Sequence, residues 1–157
     1  MNIKDFMIQD VITATRSTSV KELLELLVNH KIGGVPVVDD ENNLQGMISD
    51  GDVIRYLQPK GRTVYDMFAL VLVSEKEDLM HKLDYAIDHK VENVMSGKDI
   101  FTVHPNDELE KALAIFAKHR FKKIPVVNQN YKVVGVVSRG DVIRYISTTL
   151  ITKADEK

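Results

Sequence analysis

Hydrophobic residues recur at the spacing of a buried helix face at two places in the chain. Both sets occupy positions i, i+3, i+4 and i+7, which is one face of an α-helix. The sets are Val20, Leu23, Leu24 and Leu27, and Leu109, Ala112, Leu113 and Phe116. Ser19 with Glu22 fits a capping box at the start of the first helix, and Asp107 with Glu110 fits one at the second. The pattern therefore predicts one amphipathic helix in each half of the chain.

Short apolar runs flank both helices and predict strands. Ahead of the helices stand "VITA" and "IFTV"; after them come "VPVV" with "LQGMIS", and "IPVV" with "VVGVVS". A polar turn, "DDENN" or "NQNYK", separates the strands of each later pair. The runs "DVIRYL" and "DVIRYI" follow a Ser and an Asp three residues on, which predicts a final helix. Each half therefore has the order β-α-β-β-α.

The two halves are copies of one another. Pro36 and Pro125 are 89 residues apart, and Gly46 with Gly135 keep the same offset. Over the 22 aligned positions from 35 to 56, 11 residues are identical without a gap. We call residues 5–57 the first copy and residues 93–146 the second copy. A unit this small buries too little apolar surface to be stable alone, so the copies are expected to share a core with approximate two-fold symmetry.

Residues between the copies continue the helical spacing. The apolar positions are Leu79, Met80, Leu83, Ile87, Val91 and Val94, and Ser74 with Glu77 fits a cap. We predict a helical insert that packs on the copies or forms a dimer surface. The predicted organisation is a first motif at 1–57, the insert at 58–92, a second motif at 93–149 and a C-terminal tail at 150–157.

Composition narrows the class of protein. Hydrophobic residues make up 44% and charged residues 28% of the 157 positions, which is typical of a folded soluble protein. The net charge of -2 provides no general attraction to nucleic acid or to an anionic membrane, and the absence of cysteine excludes disulfides and thiolate chemistry. No signal-peptide pattern opens the sequence, and the longest apolar run, 67–73, is too short to span a bilayer. We expect a cytoplasmic protein.

The duplicated Gly-apolar-apolar-Ser-x-x-Asp pattern after an apolar-Pro-Val-Val strand resembles a tandem pair of cystathionine-beta-synthase (CBS) motifs, a Bateman module. The resemblance covers most of the chain outside 58–92 and the last ten or so residues. It implies an α/β fold of two β-α-β-β-α motifs packed sheet to sheet with pseudo-two-fold symmetry. It also implies a regulatory module that binds an adenosine-containing ligand, such as AMP, ADP, ATP or S-adenosylmethionine, in clefts between the motifs, and that pairs into dimers.

The residues of the pattern suit that chemistry. Ser49 and Ser138 stand where a strand leads into a helix, whose first N–H groups favour a phosphate. A carboxylate accepts hydrogen bonds from both hydroxyls of a ribose, the role that the resemblance gives to Asp52 and Asp141. It also implies adenine contacts around the Pro-bearing strands, namely Val35, Pro36, Ile124 and Pro125, with Thr13 and Thr102 nearby. Ser-x-x-Asp is equally the pattern of a purely structural helix cap.

The copies differ in charge where a phosphate would bind. Gly33 and Gly34 of the first copy correspond to Lys122 and Lys123 of the second, and Asp50 corresponds to Arg139. We therefore expect the clefts to be unequal, with Lys122, Lys123 and Arg139 as candidate phosphate contacts. The hypothesis is one phosphate-bearing site and one weaker, emptier or nucleoside-type site.

Other functions find less support in the sequence. "KHRFKK", 118–123, is better read as a solvated helix end than as a nucleic-acid patch, given the acidic whole. His81, Asp84, Asp88 and His89 lack the spacing of a helical zinc site, so no metal site is predicted. No catalytic constellation is visible, so we predict a non-enzymatic sensor without an obligatory cofactor, acting on an unidentified protein partner. The alternative is a ligand-free scaffold for protein interaction or dimerisation.

Overall fold

The structure, a computed structural model, describes residues 1–58, 75–95 and 100–156. A 3₁₀ turn opens the chain at Ile3–Asp5. The first copy then forms α1 (Val20–His30), β1 (Gly34–Val38), β2 (Leu44–Ser49) and α2 (Asp50–Leu57). The insert contributes α3 (Glu75–Ala86) and α4 (Val91–Val94). The second copy forms α5 (Leu109–Lys118), β3 (Lys123–Val127), β4 (Val133–Ser138) and α6 (Arg139–Asp155).

The two hairpins confirm the predicted repeat. β1 pairs antiparallel with β2, and β3 pairs antiparallel with β4. Their registers match at the offset of 89, since Pro36 faces Met47 in one hairpin and Pro125 faces Val136 in the other. Both hairpins shift register at their last pair, where the polar turn begins.

The predicted first strand of each copy is reduced to a single residue of pairing. Ala14 makes one parallel bridge to Val37, and Val103 makes one to Val126. Each bridge rests on two backbone hydrogen bonds; for Ala14 these are N–H to Pro36 O at 3.0 Å and Val38 N–H to Ala14 O at 2.8 Å. The prediction of full strands at "VITA" and "IFTV" was therefore wrong in extent, because β-propensity alone does not decide whether neighbouring residues find partners.

Two predicted helix boundaries were also wrong. The insert is not one helix through Val94, because the chain turns after Ala86. Backbone carbonyls in this turn accept hydrogen bonds from the first N–H groups of α1. Val20 N–H donates to His89 O at 2.8 Å, and Lys21 N–H donates to Ile87 O at 3.1 Å. The predicted cap at Ser74 and Glu77 lies outside the residues whose side chains are described.

The start of α5 differs from the prediction as well. Its N-cap residue is Glu108, whose side chain makes no capping hydrogen bond. Asp107 instead accepts the His104 N–H at 2.7 Å and the Lys111 ammonium at 3.0 Å. Partial burial, the largest single influence, raises the pKa of Asp107, but the hydrogen bonds from His104 and Lys111 together lower it below its ordinary value. Ser19 does cap α1, accepting the Glu22 N–H at 3.1 Å.

Within residues 1–58, 75–95 and 100–156 the hydrophobic core has three parts. One cluster lies under α1 and β1, a second lies under α5 and β3, and a third joins the copies. The joining cluster consists of Val38, Leu44, Val127 and Val133, all buried. Beside it, Leu44 N–H donates to Tyr131 O at 3.2 Å, and Val133 N–H donates to Asn42 O at 3.1 Å. The sheets therefore meet where equivalent residues of the two hairpins face one another, as the predicted two-fold arrangement requires.

The beginnings of the copies are exchanged. Ile3 is fully buried in the second copy's cluster, and Ile8 bridges to Val136. Conversely, Val91 and Val94 are buried in the first copy's cluster. Each copy's core is thus completed by residues at or just before the beginning of the other copy. This exchange joins the two copies into one folding unit. No helix in the described residues has the length and apolar character needed to cross a membrane.

A candidate nucleotide cleft between the two copies

The first copy's Ser-x-x-Asp pattern forms a reciprocal cap at the start of α2. Ser49 Oγ accepts the Asp52 N–H at 3.3 Å, and Asp52 Oδ2 accepts the Ser49 N–H at 2.9 Å and its hydroxyl at 3.2 Å. The other carboxylate oxygen, Oδ1, pairs with the Arg55 guanidinium at 2.9 Å. The side chain of Asp52 is 13% exposed, whereas that of Arg55 is 69% exposed. Ser49 and Asp52 therefore do form a structural helix cap. The other carboxylate oxygen of Asp52, Oδ1, pairs with the exposed side chain of Arg55.

The second copy repeats this cap. Ser138 Oγ accepts the Asp141 N–H at 3.1 Å, Asp141 Oδ2 accepts the Ser138 hydroxyl at 2.6 Å, and Arg144 pairs with Asp141 Oδ1 at 2.5 Å. Cap geometry by itself therefore does not distinguish the copies. Of the two caps, the one formed by Ser49 and Asp52 lines the cleft described next.

A cleft of about 860 Å³ opens at the first copy's cap and is closed by residues of the second copy. Its volume lies within the range of small-molecule sites. The first copy contributes Gly33, Gly34, Met47, Ile48, Ser49, Asp50, Gly51, Asp52 and Arg55. The second contributes Ile100, Phe101, His119, Arg120, Phe121, Lys122, Lys123 and Pro125. The cleft thus combines the start of α2 with a basic and aromatic segment from the other copy.

Two lysines of the second copy reach across to the first. Lys122 Nζ lies 3.3 Å from Asp50 Oδ1, and Lys123 Nζ donates to Gly34 O at 3.2 Å. Burial lowers the pKa of Lys123 below its usual value, while the nearby charges of Asp141 and Asp50 act in the opposite direction. A partly buried ammonium whose pKa is lowered by desolvation gains from a bound anion, which makes Lys123 a suitable phosphate contact.

Three aromatic rings form one wall of the cleft. The ring of His119 lies 4.2 Å from that of Phe101 and 5.4 Å from that of Phe121, centroid to centroid. Such a wall offers a flat, apolar surface to a planar base. Sequence reasoning missed these residues and Arg120, although the alternation of aromatic and basic residues in "HRFKK" was a visible signal.

The structure brings together five of the thirteen predicted site residues, namely Ser49, Asp52, Lys122, Lys123 and Pro125. Ser138 and Asp141 cap α6 outside this cleft. Val35 and Ile124 are fully buried in the two cores, and Pro36 is buried in β1. Thr13 and Thr102 are half-buried, each just before a single bridge residue.

Arg139 is engaged elsewhere. Its guanidinium donates to His119 O at 3.0 Å and to Phe116 O at 3.3 Å, and it lies 5.9 Å from the Phe116 ring centroid. It therefore satisfies carbonyls at the C-terminal end of α5, where a positive charge is favoured. This contact fixes the segment that carries His119 toward the cleft.

Clusters of metal-ligating side chains are absent from the described residues. The cleft's lining residues include carboxylates that accept hydrogen bonds, a hydroxyl that can donate or accept, and ammonium and guanidinium groups that donate, which is a set suited to a sugar phosphate attached to a base.

Comparison with known proteins identifies relatives along nearly the whole chain. The curated protein "CBS domain-containing protein CBSX2, chloroplastic" of Arabidopsis thaliana is 32% identical over 149 residues, covering 90% of this chain and 62% of the relative. This chain therefore spans about three fifths of that relative's length.

Solved structures of CBS-domain pairs share the fold. The crystal structure of CBSX2 in complex with AMP superimposes with a TM-score of 0.71 at 27% identity, covering 94% of this chain and 97% of that one. The CBS-domain pair of protein MJ0100, in complex with 5'-methylthioadenosine and S-adenosyl-L-methionine, gives a TM-score of 0.69 at 21% identity, covering 95% of this chain and 98% of that one. At that identity the second likeness concerns the fold alone.

The family model described as "CBS domain" matches twice, at residues 3–59 and 91–148, which include both capped Ser-x-x-Asp helices and both hairpins. These two matches span the elements whose equivalence the hairpin registers established. The chain belongs to the CBS-domain family and carries two CBS domains.

Proposed function

We propose that this protein is a regulatory module that binds an adenosine-containing ligand in the cleft between Asp52 and the second copy's basic segment. The observation that carries the proposal is the cleft itself, which joins a capped helix start to Lys122 and Lys123. The relative CBSX2, whose sequence is 27% identical over the superimposed structures, has been crystallised with AMP. Regulation, rather than catalysis, is the activity we assign, and no cofactor is required for it.

The ligand can be oriented by the residues that line the cleft. The ribose hydroxyls would donate to Asp52, replacing the exposed ion pair with Arg55, which costs little because that pair is solvated. The base would lie toward the aromatic wall of Phe101 and His119. The phosphate would lie toward Lys122 and Lys123, near the first N–H groups of α2.

Asp52→Ala and Asp141→Ala form a matched pair for the test. Both substitutions remove the same reciprocal cap and the same arginine pair, so both lower stability by a similar amount, about 1 kcal/mol. Only Asp52 lines the cleft. We expect Asp52→Ala to weaken AMP binding by at least about tenfold in isothermal titration calorimetry, as loss of charge-assisted hydrogen bonds does. Asp141→Ala, which removes a negative charge near Lys123, should leave AMP binding unchanged or slightly stronger.

A thermal-shift series with AMP, ADP, ATP and S-adenosylmethionine identifies the preferred ligand. At about a hundred times its Kd a ligand adds about 2.7 kcal/mol, which raises the melting temperature by several degrees. If none of these compounds shifts melting and calorimetry shows no binding, the sensor function is refuted and the ligand-free scaffold becomes the better reading.

We further propose that the module forms a homodimer. Ile54 on α2 and Ile143 on α6 occupy equivalent positions, and these residues are 61% and 65% exposed. Paired exposed apolar side chains on equivalent helices favour a symmetric contact. Sedimentation of the unmodified protein against Ile54→Lys with Ile143→Lys tests this, and a monomer in both excludes the dimer. The regulated protein partner and the cytoplasmic location stay predictions.

A further inference from the structure

Asp50 is the first residue of α2 and lies in the cleft, where one of its carboxylate oxygens holds two donors. Oδ1 accepts the Gly51 backbone N–H at 2.7 Å and lies 3.3 Å from Lys122 Nζ. Its own N–H donates to Gly33 O at 2.8 Å, which fixes the residue at the mouth of the helix. The carboxylate therefore joins the first copy to the second across the cleft.

These two donors are of the kind that bind a phosphate. Free N–H groups in the first turn of a helix and an ammonium on the opposite wall both favour an anion. Gly51 and Lys122 both line the cleft. Asp50 thus takes the place in the hydrogen-bonding pattern that a phosphate oxygen would take.

The ion pair is weak enough to be displaced. The side chains of Lys122 and Asp50 are 69% and 44% exposed, so water and salt screen their attraction. A phosphate group that binds Lys122 must move the carboxylate aside or tolerate a like charge beside it. An uncharged nucleoside need not displace the Asp50 carboxylate and is not repelled by it.

The second copy shows that the position need not be acidic. Arg139 is the equivalent residue, and it turns toward the carbonyls of Phe116 and His119. The helix start and the capping box are the same in both copies. An acidic side chain is therefore not needed to build this turn, and its presence in the first copy alone calls for a role in the cleft.

We propose that Asp50 determines how many phosphates the cleft accepts, by competing with the ligand's phosphate for Lys122 and the Gly51 N–H. This inference rests on the proposed function. It makes the wild-type cleft selective for adenosine compounds with no phosphate or few. A change at Asp50 shifts that selectivity and leaves base and ribose recognition intact.

Calorimetric titration of adenosine, AMP, ADP and ATP into the wild-type protein and Asp50→Asn tests the inference. Glu22→Gln is the matched control, since it neutralises a first-turn carboxylate on α1 outside the cleft. We expect adenosine affinity to change less than about twofold, AMP affinity to rise about three- to tenfold, and ADP and ATP affinities to rise at least as much, as removal of one partly exposed like charge produces. Glu22→Gln should change none of them.

Lys122→Gln supplies a second measurement that needs no change at Asp50. It should lower AMP affinity and leave adenosine affinity unchanged. Equal responses of adenosine and AMP to both substitutions, or no response, would overturn the role of Asp50 while the proposed function stands. Absence of binding by all four compounds to every variant would overturn both.

Discussion

The two CBS domains share a backbone plan but contribute different chemistry to one cleft. Their caps are alike, with Ser49 and Asp52 in the first and Ser138 and Asp141 in the second. The first copy provides the helix start and the carboxylates, whereas the second provides the aromatic wall and the ammonium groups of 119–123. Duplication therefore preserved the scaffold while the residues around each cap diverged, so a repeated motif does not imply two equivalent sites.

The cores of the two copies also differ in what completes them. The second copy's core takes Ile3 and the neighbouring Met7, whereas the first copy's core takes Val91, Val94 and Met95. Each of these contacts crosses the boundary between the copies. Truncation of Ile3 should therefore weaken the second copy, and truncation of Val91 should weaken the first. Substitutions at these contacts therefore test whether each copy depends on the segment that packs against it.

The largest expected effect is that of Ile3→Ala. Ile3 is fully buried against the second copy, so its truncation should lower the free energy of unfolding by about 2–4 kcal/mol through lost burial and a cavity. Urea denaturation measures the loss, and hydrogen exchange locates it. We expect amides of β3 and β4 to lose protection before those of β1 and β2.

The control for that experiment is Val91→Ala, which truncates the equivalent buried contact on the first copy. It should cost about 2 kcal/mol and reverse the order in which amides lose protection. If Ile3→Ala exposed the first copy's amides first, the exchanged arrangement would be incorrect.

A smaller difference is expected at the paired glycines of β2 and β4. A Cβ at Gly135 would lie 2.7 Å from Met7 Sδ and 3.1 Å from the Ile8 carbonyl oxygen, and the latter is fixed by its bond to Val136 N–H. At Gly46 the Cβ would meet only the end of the Met95 side chain, which can rotate away. Gly135→Ala should therefore cost about 1–3 kcal/mol and Gly46→Ala less than about 1 kcal/mol in urea denaturation. Equal costs would mean that the segment of Met7 and Ile8 accommodates an added methyl group as easily as the Met95 side chain does.

The repeat, the hairpins and the side-chain caps of α1, α2 and α6 were predictable because each depends on residues close in sequence. Ser49 and Asp52 form their cap within one turn, and β1 and β2 are joined by a short turn. The extent of pairing at Ala14 and the turn after Ala86 were not predictable, since each depends on partners supplied by distant residues. The same holds for the cleft.

Part of the candidate site was predictable for the same reason. The cap residues of α2 follow from a local pattern, and the charge difference between the copies indicated Lys122 and Lys123. The stacking of Phe101 with His119, and the turn of Arg139 toward α5, arise only when the second copy's segments are packed. Sequence patterns locate residues along the chain, whereas which side chains face one cavity depends on tertiary packing.

The smallest expected effect concerns acid stability at the hairpin turns. Asp39 Oδ1 accepts the Glu41 and Asn43 N–H groups at 2.9 and 2.8 Å, and its counterpart Asn128 accepts two backbone N–H groups in the same way, both at 3.0 Å. Hydrogen bonds from the side chain and backbone of Asn43 lower the pKa of Asp39 below its ordinary value of 3.8. Since the folded-state pKa is the lower one, the carboxylate stabilises the fold above the unfolded-state pKa, and this contribution disappears as the pH falls through the folded-state pKa.

Asp39→Asn gives the first turn the titration behaviour of the second. We expect the urea midpoint of the wild type to exceed that of this variant at about pH 6, and the difference to stay constant down to about pH 4 and to shrink between about pH 4 and pH 2 as Asp39 is protonated. Asp40→Asn, which neutralises an exposed neighbouring carboxylate, is the control and should show a smaller pH-dependent difference. A gap between wild type and Asp39→Asn that stays constant over this range would show that the turn is held by the shape of the side chain rather than by its charge, as it is at Asn128.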